Sequence, residues 1–135
     1  IPEIEQALSL VSKDDVKVNF TPQLVPMSRG ILSTIYVKMK KDVKTEELRK
    51  TIAKQYGSGD FVSVSLSGNL PSTRDVSGTN QCIIAVEEGA TDNIAVIVSV
   101  IDNLTKGSSG QAVQNMNIMF GLEETTGLNY IPVFP

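Results

Sequence analysis

With 135 residues, 41% of them apolar and 20% charged, and a formal net charge of −3, the chain has the make-up of one self-sufficient folded core. It holds no His, no Trp and a single Cys, which removes Ser-His-Asp and Cys-His catalysis, His-bearing zinc sites and thiolate clusters from what these residues can build among themselves. The acidic balance speaks against general nucleic-acid binding. Purely apolar runs of four or five residues fall far short of the ~20 needed to span a bilayer.

One cysteine cannot close an internal disulfide, and the opening shows no basic-then-apolar leader, so a reducing, cytoplasmic setting is expected. Residues 1–8 read as a short helix, with Pro2 suited to its first turn and Glu3 and Glu5 at the positive end of its dipole. Because neither an initiator Met nor an N-cap residue precedes this pattern, further protein upstream is expected.

Residues 16–20 alternate Val16, Val18 and Phe20 with Lys17 and Asn19, which predicts a strand. Pro22 and Pro26 then make an irregular extended stretch. Residues 30–41 predict a long strand, with Ile31, Ile35, Val37 and Met39 on one face and Thr34, Tyr36, Lys38 and Lys40 on the other. Residues 45–57 carry helix grammar: Thr45 as N-cap, Glu46 and Glu47 in the first turn, Leu48 and Ile52 on one face and Gly57 as the stop. Seven of the twelve basic residues lie between Lys38 and Lys54; interleaved acids make this a solvated face, with an anion-binding patch as the alternative.

Residues 61–66 predict another strand, and 67–78 form a polar loop long enough to suggest an interface or a site. Residues 80–87 and 93–102 predict two strands joined by a hairpin through 88–92. The second is apolar on both faces, which places it centrally in its sheet. No internal repeat interrupts the pattern.

From Gly107 to Leu122 there are sixteen residues without a charge. Around a helix, Ala112, Val113, Met116, Met119 and Phe120 form one stripe, predicted to face inward, with Gln111, Gln114 and Asn115 roughly opposite. Neutral amides both donate and accept hydrogen bonds, so an outward amide side suits contact with a ligand or another domain. The alternative is a surface helix neutral by chance. Residues 106–110 could offer backbone N–H groups to a phosphate at the helix start, but neither a P-loop nor a dinucleotide-binding glycine motif occurs.

The stretch 101–117, Ile-Asp-Asn-Leu-Thr-Lys-Gly-Ser-Ser-Gly-Gln-Ala-Val-Gln-Asn-Met-Asn, resembles the closing-helix signature of the N-acetyl-gamma-glutamyl-phosphate reductase family. Residues 2–6, 20–22 with 26–31, 70–76 with 78–80, and 124–128 through 132–135 agree with the same family in order along the chain. The resemblance implies one substrate-binding and dimerisation domain over 1–135, with the dinucleotide-binding domain outside it. It implies a reductase of arginine biosynthesis that turns N-acetylglutamyl 5-phosphate into the semialdehyde and phosphate with NADPH. In that family a cysteine thiolate attacks the acyl phosphate and a histidine serves as acid and base. The cysteine belongs to an Asn-Pro-Gly-Cys motif and the histidine precedes the Pro-Glu-Ile stretch; neither is in these residues, so no catalytic residue is expected here.

Cys82 therefore reads as a structural mid-strand thiol without a basic neighbour. The Asn103-Leu104-Thr105 sequon carries no weight in a cytoplasmic protein. The resemblance places Gln111 beside the nicotinamide carboxamide of NADP, with Ser109, Gly110 and Asn115 lining the same pocket. It makes Arg29 the candidate for an anionic substrate, a salt bridge or dimer contact being the alternative. Arg74 is assigned to an interface, and Gln114 and Asn115 to the cofactor or the other domain.

The expected fold is α+β: a mostly antiparallel mixed sheet of about five or six strands with two or three helices on one face, as in the C-terminal domain of glyceraldehyde-3-phosphate dehydrogenase. Three short helices leave one sheet face open, so a homo-oligomer through that face is expected. A stand-alone oligomerisation or small-ligand-binding module and a related acyl-phosphate reductase with another substrate are the alternative readings.

Overall fold

The computed structural model describes residues 1–91, 93–129 and 131. Its centre is the hairpin of β3 (Cys82–Glu88) and β4 (Ile94–Ile101), whose alternating and doubly apolar sequences suit interior strands. The connection is tied by Gly89 N–H to Ile94 O (2.8 Å) and Ile94 N–H to Thr91 O (3.0 Å); Asp92, within the predicted hairpin, lies outside the described residues. β1 (Ile31–Lys38) runs antiparallel along the full length of β4, from Ile31 opposite Ile101 to Lys38 opposite Ile94. β2 (Val62–Val64) pairs parallel with β3, giving one mixed sheet in the order β1-β4-β3-β2.

Four strands among the described residues replace the five or six expected. The difference is residues 16–20, which are not a strand. The N–H groups that would have built a ladder there are taken by side chains of α1 (Pro2–Ser12). Val16 N–H donates to Ser9 Oγ at 3.0 Å and Val18 N–H to Glu5 Oε1 at 3.1 Å, while Lys17 pairs with Glu5 at 3.8 Å. The alternation in this segment thus serves docking onto a helix. α1 itself buries none of its residues.

α2 (Thr45–Tyr56) packs on β2 and β3. Lys44, in extended conformation, holds the N-cap position, so Thr45 enters the helix instead of capping it. Arg49 pairs with Glu46 one turn back and donates from Nη2 to the Val86 carbonyl at 2.6 Å, tying the helix to the sheet. The loop after β2 contains a 3₁₀ turn, Thr73–Val76, closed by a Ser72–Asp75 capping box. Val76 is buried and lies with the turn against β4; with Phe61, Ala85, Val86, Ala95, Val98, Val100 and Leu128 it forms the core.

Both sheet faces carry exposed apolar residues on β1. Ile31, Ser33, Ile35 and Val37 share a face with Ile101, Ser99, Ile97 and Ala95 of β4 and with Cys82, Ile84 and Val86 of β3. On it Ile31 and Ile35 are exposed and Ile84, Ile97 and Ile101 are half-buried. On the opposite face Ala85, Val98 and Val100 are buried, while Leu32 and Tyr36 of β1 are exposed. Val86 and Ala95 on the first face are buried as well; both faces thus keep exposed apolar residues on β1, the isoleucines lying on the first.

α3 (Gly110–Met119) follows a kinked turn over Thr105–Ser109. Its orientation differs in part from that predicted: Gln111 and Asn115 stay outward, but Gln114 turns in. Gly110, Gln114 and Asn117 form the buried side, while Met119 is 81% and Phe120 76% exposed. The reason is chemical: this end of the sheet presents Asn80, Lys106 and the 124–126 backbone, which demand polar partners. Gly110 sits so close to Asn80 Oδ1 and to Thr105 (C and O at 2.9 Å from an added Cβ) that no side chain fits there. Gly110→Ala is expected to lower stability by about 1–3 kcal/mol, the cost of overpacking, read as a drop in thermal midpoint.

Candidate functional site

Asp102 ends the apolar strand β4 and is fully buried (0% exposed). A carboxylate so placed must be met by donors on all sides. Its Oδ2 accepts from Arg29 Nε at 2.7 Å and Gly78 N–H at 2.6 Å; its Oδ1 accepts from Leu104 N–H at 2.8 Å and Thr105 N–H at 3.1 Å. Burial alone would raise its pKa, but the backbone donors of Gly78, Leu104 and Thr105, with Arg29, hold it below the usual carboxylate value. Next to it Asn103 Oδ1 accepts from Gly30 N–H at 2.7 Å. One buried acid thus joins the segment entering β1, the end of the 67–78 loop and the approach to α3.

Arg29 forms a salt bridge, the alternative reading made for it. Its side chain is 38% exposed and only Nε faces Asp102. Gly30, at φ +102°, packs its Cα where a Cβ would come within 2.7 Å of Thr73 Cβ, which brings the 3₁₀ turn against the 27–30 segment. Met27 Sδ accepts from Thr73 Oγ1 at 3.4 Å, and Arg74 on the same turn is exposed. The two arginine-bearing segments are neighbours.

The amides of α3 divide into two sets. Gln114 is buried: its Oε1 accepts from Asn80 Nδ2 (3.0 Å) and Lys106 Nζ (2.6 Å), and its Nε2 donates to Glu124 Oε1 (2.6 Å). Asn117 donates to the carbonyls of Glu124 (3.1 Å) and Thr126 (2.9 Å). Gln114 is therefore a structural link and does not belong to an outward surface. Gln111 and Asn115 do face outward; Gln111 Nε2 donates to Asn115 Oδ1 at 2.9 Å, and Gln111 Oε1 and Asn115 Nδ2 have no partner among the described residues. Ile118 and Leu122 continue that line along the helix and its end, both exposed. Ser109 Oγ donates to Leu104 O at 2.8 Å, and Gly110 is buried in the helix start.

Lys106 lies 5.4 Å from the Phe61 ring centre, and burial pushes its ammonium below the ordinary lysine value, against the pull of Cys82 and Glu124. Cys82 is a free thiol. It opens β3 instead of sitting mid-strand, half-buried, with Sγ 3.5 Å from Ser99 Oγ. Asp102, Asn80, Lys106 and Asn117 escaped sequence reading; the one signal for Asp102 was an acid directly ending a strand apolar on both faces. Two open clefts of about 450 and 430 Å³ lie elsewhere, around Lys40–Lys44 with Asn93 and around Thr45, Arg49 and Glu87, and no candidate residue lines them.

Among the described residues no His, Cys, Asp or Glu group is placed to hold a metal, and no helix is long and apolar enough to cross a membrane. Sheet, helices and buried polar joint together define an α+β domain whose sheet keeps exposed apolar residues. Aspartate semialdehyde dehydrogenase II of Vibrio cholerae, solved in complex with ASA, shares this fold with a TM-score of 0.57 at 19% identity, over 72% of this chain and 29% of that one. The family "Semialdehyde dehydrogenase, dimerisation domain" matches residues 1–103, and the chain belongs to it. N-acetyl-gamma-glutamyl-phosphate reductases of Staphylococcus aureus strains USA300 and MRSA252 are each 52% identical to it over 134 residues, 99% of this chain. The chain spans 39% of the length of those relatives.

Proposed function

We propose that the chain is the substrate-binding and dimerisation part of an N-acetyl-gamma-glutamyl-phosphate reductase, a cytoplasmic enzyme of arginine biosynthesis whose dinucleotide-binding domain, nucleophilic cysteine and acid–base histidine lie outside these 135 residues. The observation that carries the reading is the 52% identity to such reductases maintained over 99% of the chain. Arg29 offers its free Nη edge to the acyl phosphate or the carboxylate of the substrate, the two anions a planar guanidinium grips best.

Two of the residues assigned to NADP, Gln111 and Asn115, fit that group; Gly110 is buried and the Ser109 hydroxyl is taken by Leu104 O. A nicotinamide carboxamide presents one acceptor and one donor, the complement of Asn115 Nδ2 and Gln111 Oε1. Ser109 and Gly110 set the start of that helix. Bound NADPH supplies the hydride; this chain's residues orient the ring and shield it from water. The apolar remainder of the outer face, with Met116, Met119 and Phe120, suits cover by the dinucleotide-binding domain. The isoleucine face of the sheet suits a second copy of the chain, the assembly that the family description implies.

The full-length protein containing this chain should reduce N-acetylglutamyl phosphate with NADPH in preference to the unacetylated or shorter acyl phosphates. A preference for another acyl phosphate would point to a related reductase instead. In the same assay Gln111→Ala should raise the KM for NADPH about 5–10-fold, as for loss of about one hydrogen bond, and leave the acyl phosphate KM near its starting value.

A further inference from the structure

We infer that Asp102 is a positioning residue for substrate binding: it fixes Arg29 through Nε and leaves the terminal Nη edge as a preformed anion fork. The inference rests on the assignment of Arg29 to the substrate made above and adds what makes that arginine effective. A free arginine spreads over many rotamers, and ordering it would weaken anion binding. Here the side chain is held before any ligand arrives, by a buried carboxylate whose other three acceptor positions are occupied by backbone N–H groups of Gly78, Leu104 and Thr105.

Those three contacts fix the carboxylate itself, so its Nε partner cannot drift. Asn103, through Gly30 N–H, clamps the residue that follows Arg29 and limits the backbone beneath it. The two Nη groups have no hydrogen-bond partner among the described residues. An arginine serving only as the counter-ion of Asp102 would do so best with its terminal Nη edge, the bidentate arrangement. Pairing through Nε instead leaves that edge for something else, and a carboxylate or phosphoryl oxygen pair fits it.

The test is steady-state kinetics of the full-length protein with N-acetylglutamyl phosphate, using Arg29→Ala, Arg29→Lys, Asp102→Asn and the double variant Arg29→Ala/Asp102→Asn. Asp102→Asn keeps an acceptor for Leu104 and Thr105 but sets a donor against both Arg29 Nε and Gly78 N–H. Arg29→Ala should raise the acyl phosphate KM about 10–100-fold, the range for a lost charged hydrogen bond, with kcat and the NADPH KM little changed. Asp102→Asn should raise the same KM, and the double variant should be no worse than Arg29→Ala alone. Arg29→Lys, which keeps the charge but loses the fork, should resemble Arg29→Ala.

If Arg29→Ala leaves the acyl phosphate KM unchanged, the assignment of Arg29 is wrong and the positioning role falls with it. If Arg29→Ala raises it while Arg29→Lys behaves as wild type, or while the Asp102 effect adds in full to that of Arg29, only the positioning role is overturned. Should Asp102→Asn not fold, Arg29→Lys decides the matter, since Arg29 is partly exposed and its replacement leaves the core intact.

Discussion

Replacing Asp102 with alanine is expected to lower the unfolding free energy by about 3–5 kcal/mol, the cost of breaking a buried, fully paired charge from one side. Three backbone N–H groups and the Arg29 Nε lose their acceptor at once. In a domain whose whole stability is about 5–15 kcal/mol this is a large share. Denaturant titration of the wild-type and Asp102→Ala chains reads it directly. The pH dependence has a definite sign. The carboxyl pKa is lowered by folding, so its contribution is complete above the unfolded value of about 3.9 and is withdrawn as the pH falls below it. The gap between wild type and variant should therefore be constant near neutrality and shrink below about pH 4. A gap that widened in acid would contradict the assigned role.

The second large effect belongs to the sheet. Ile35→Asp places a charge in the middle of the open isoleucine face, beside Ile97. Ile35 is already exposed, so the fold should tolerate the change. At an interface the buried, unpaired carboxylate should weaken self-association by about a thousandfold or more, equivalent to about 4 kcal/mol. Light scattering after size separation should show a dimer for wild type and a monomer for Ile35→Asp at the same concentration. Tyr36→Asp, the neighbouring change on the opposite face, should leave the dimer intact. Dissociation by Tyr36→Asp and not by Ile35→Asp would place the interface on the other side.

Much of the architecture is legible in the sequence where local chemistry and tertiary position coincide. A strand apolar on both faces can only lie centrally, and residues 94–101 do. The acid-led helix closed by Gly57 and the polar hairpin between two apolar runs are equally local features. Residues 16–20 mislead because alternation reports that every second residue is held, not by what; Ser9 and Glu5 hold Val16 and Val18 in place of a neighbouring strand.

The last helix misleads for a related reason. Periodicity identifies which side chains share a face but not which face turns inward. That choice falls to Asn80, Lys106 and Glu124, distant in sequence, which draw Gln114 and Asn117 inside and leave Met119 and Phe120 out. The site is legible to the same degree. Arg29, Gln111 and Asn115 stand out by type and resemblance, whereas Asp102 acquires meaning only when Arg29 and Gly78, 73 and 24 residues earlier, are folded onto it.

As proposed, these residues are the substrate-facing and self-associating part of a larger catalyst. The most direct test is a side-by-side assay of NADPH oxidation with N-acetylglutamyl phosphate, using the 135-residue chain alone and the full-length protein that contains it. Turnover by the full-length protein and none by the chain is the predicted result; turnover by the chain alone would contradict it.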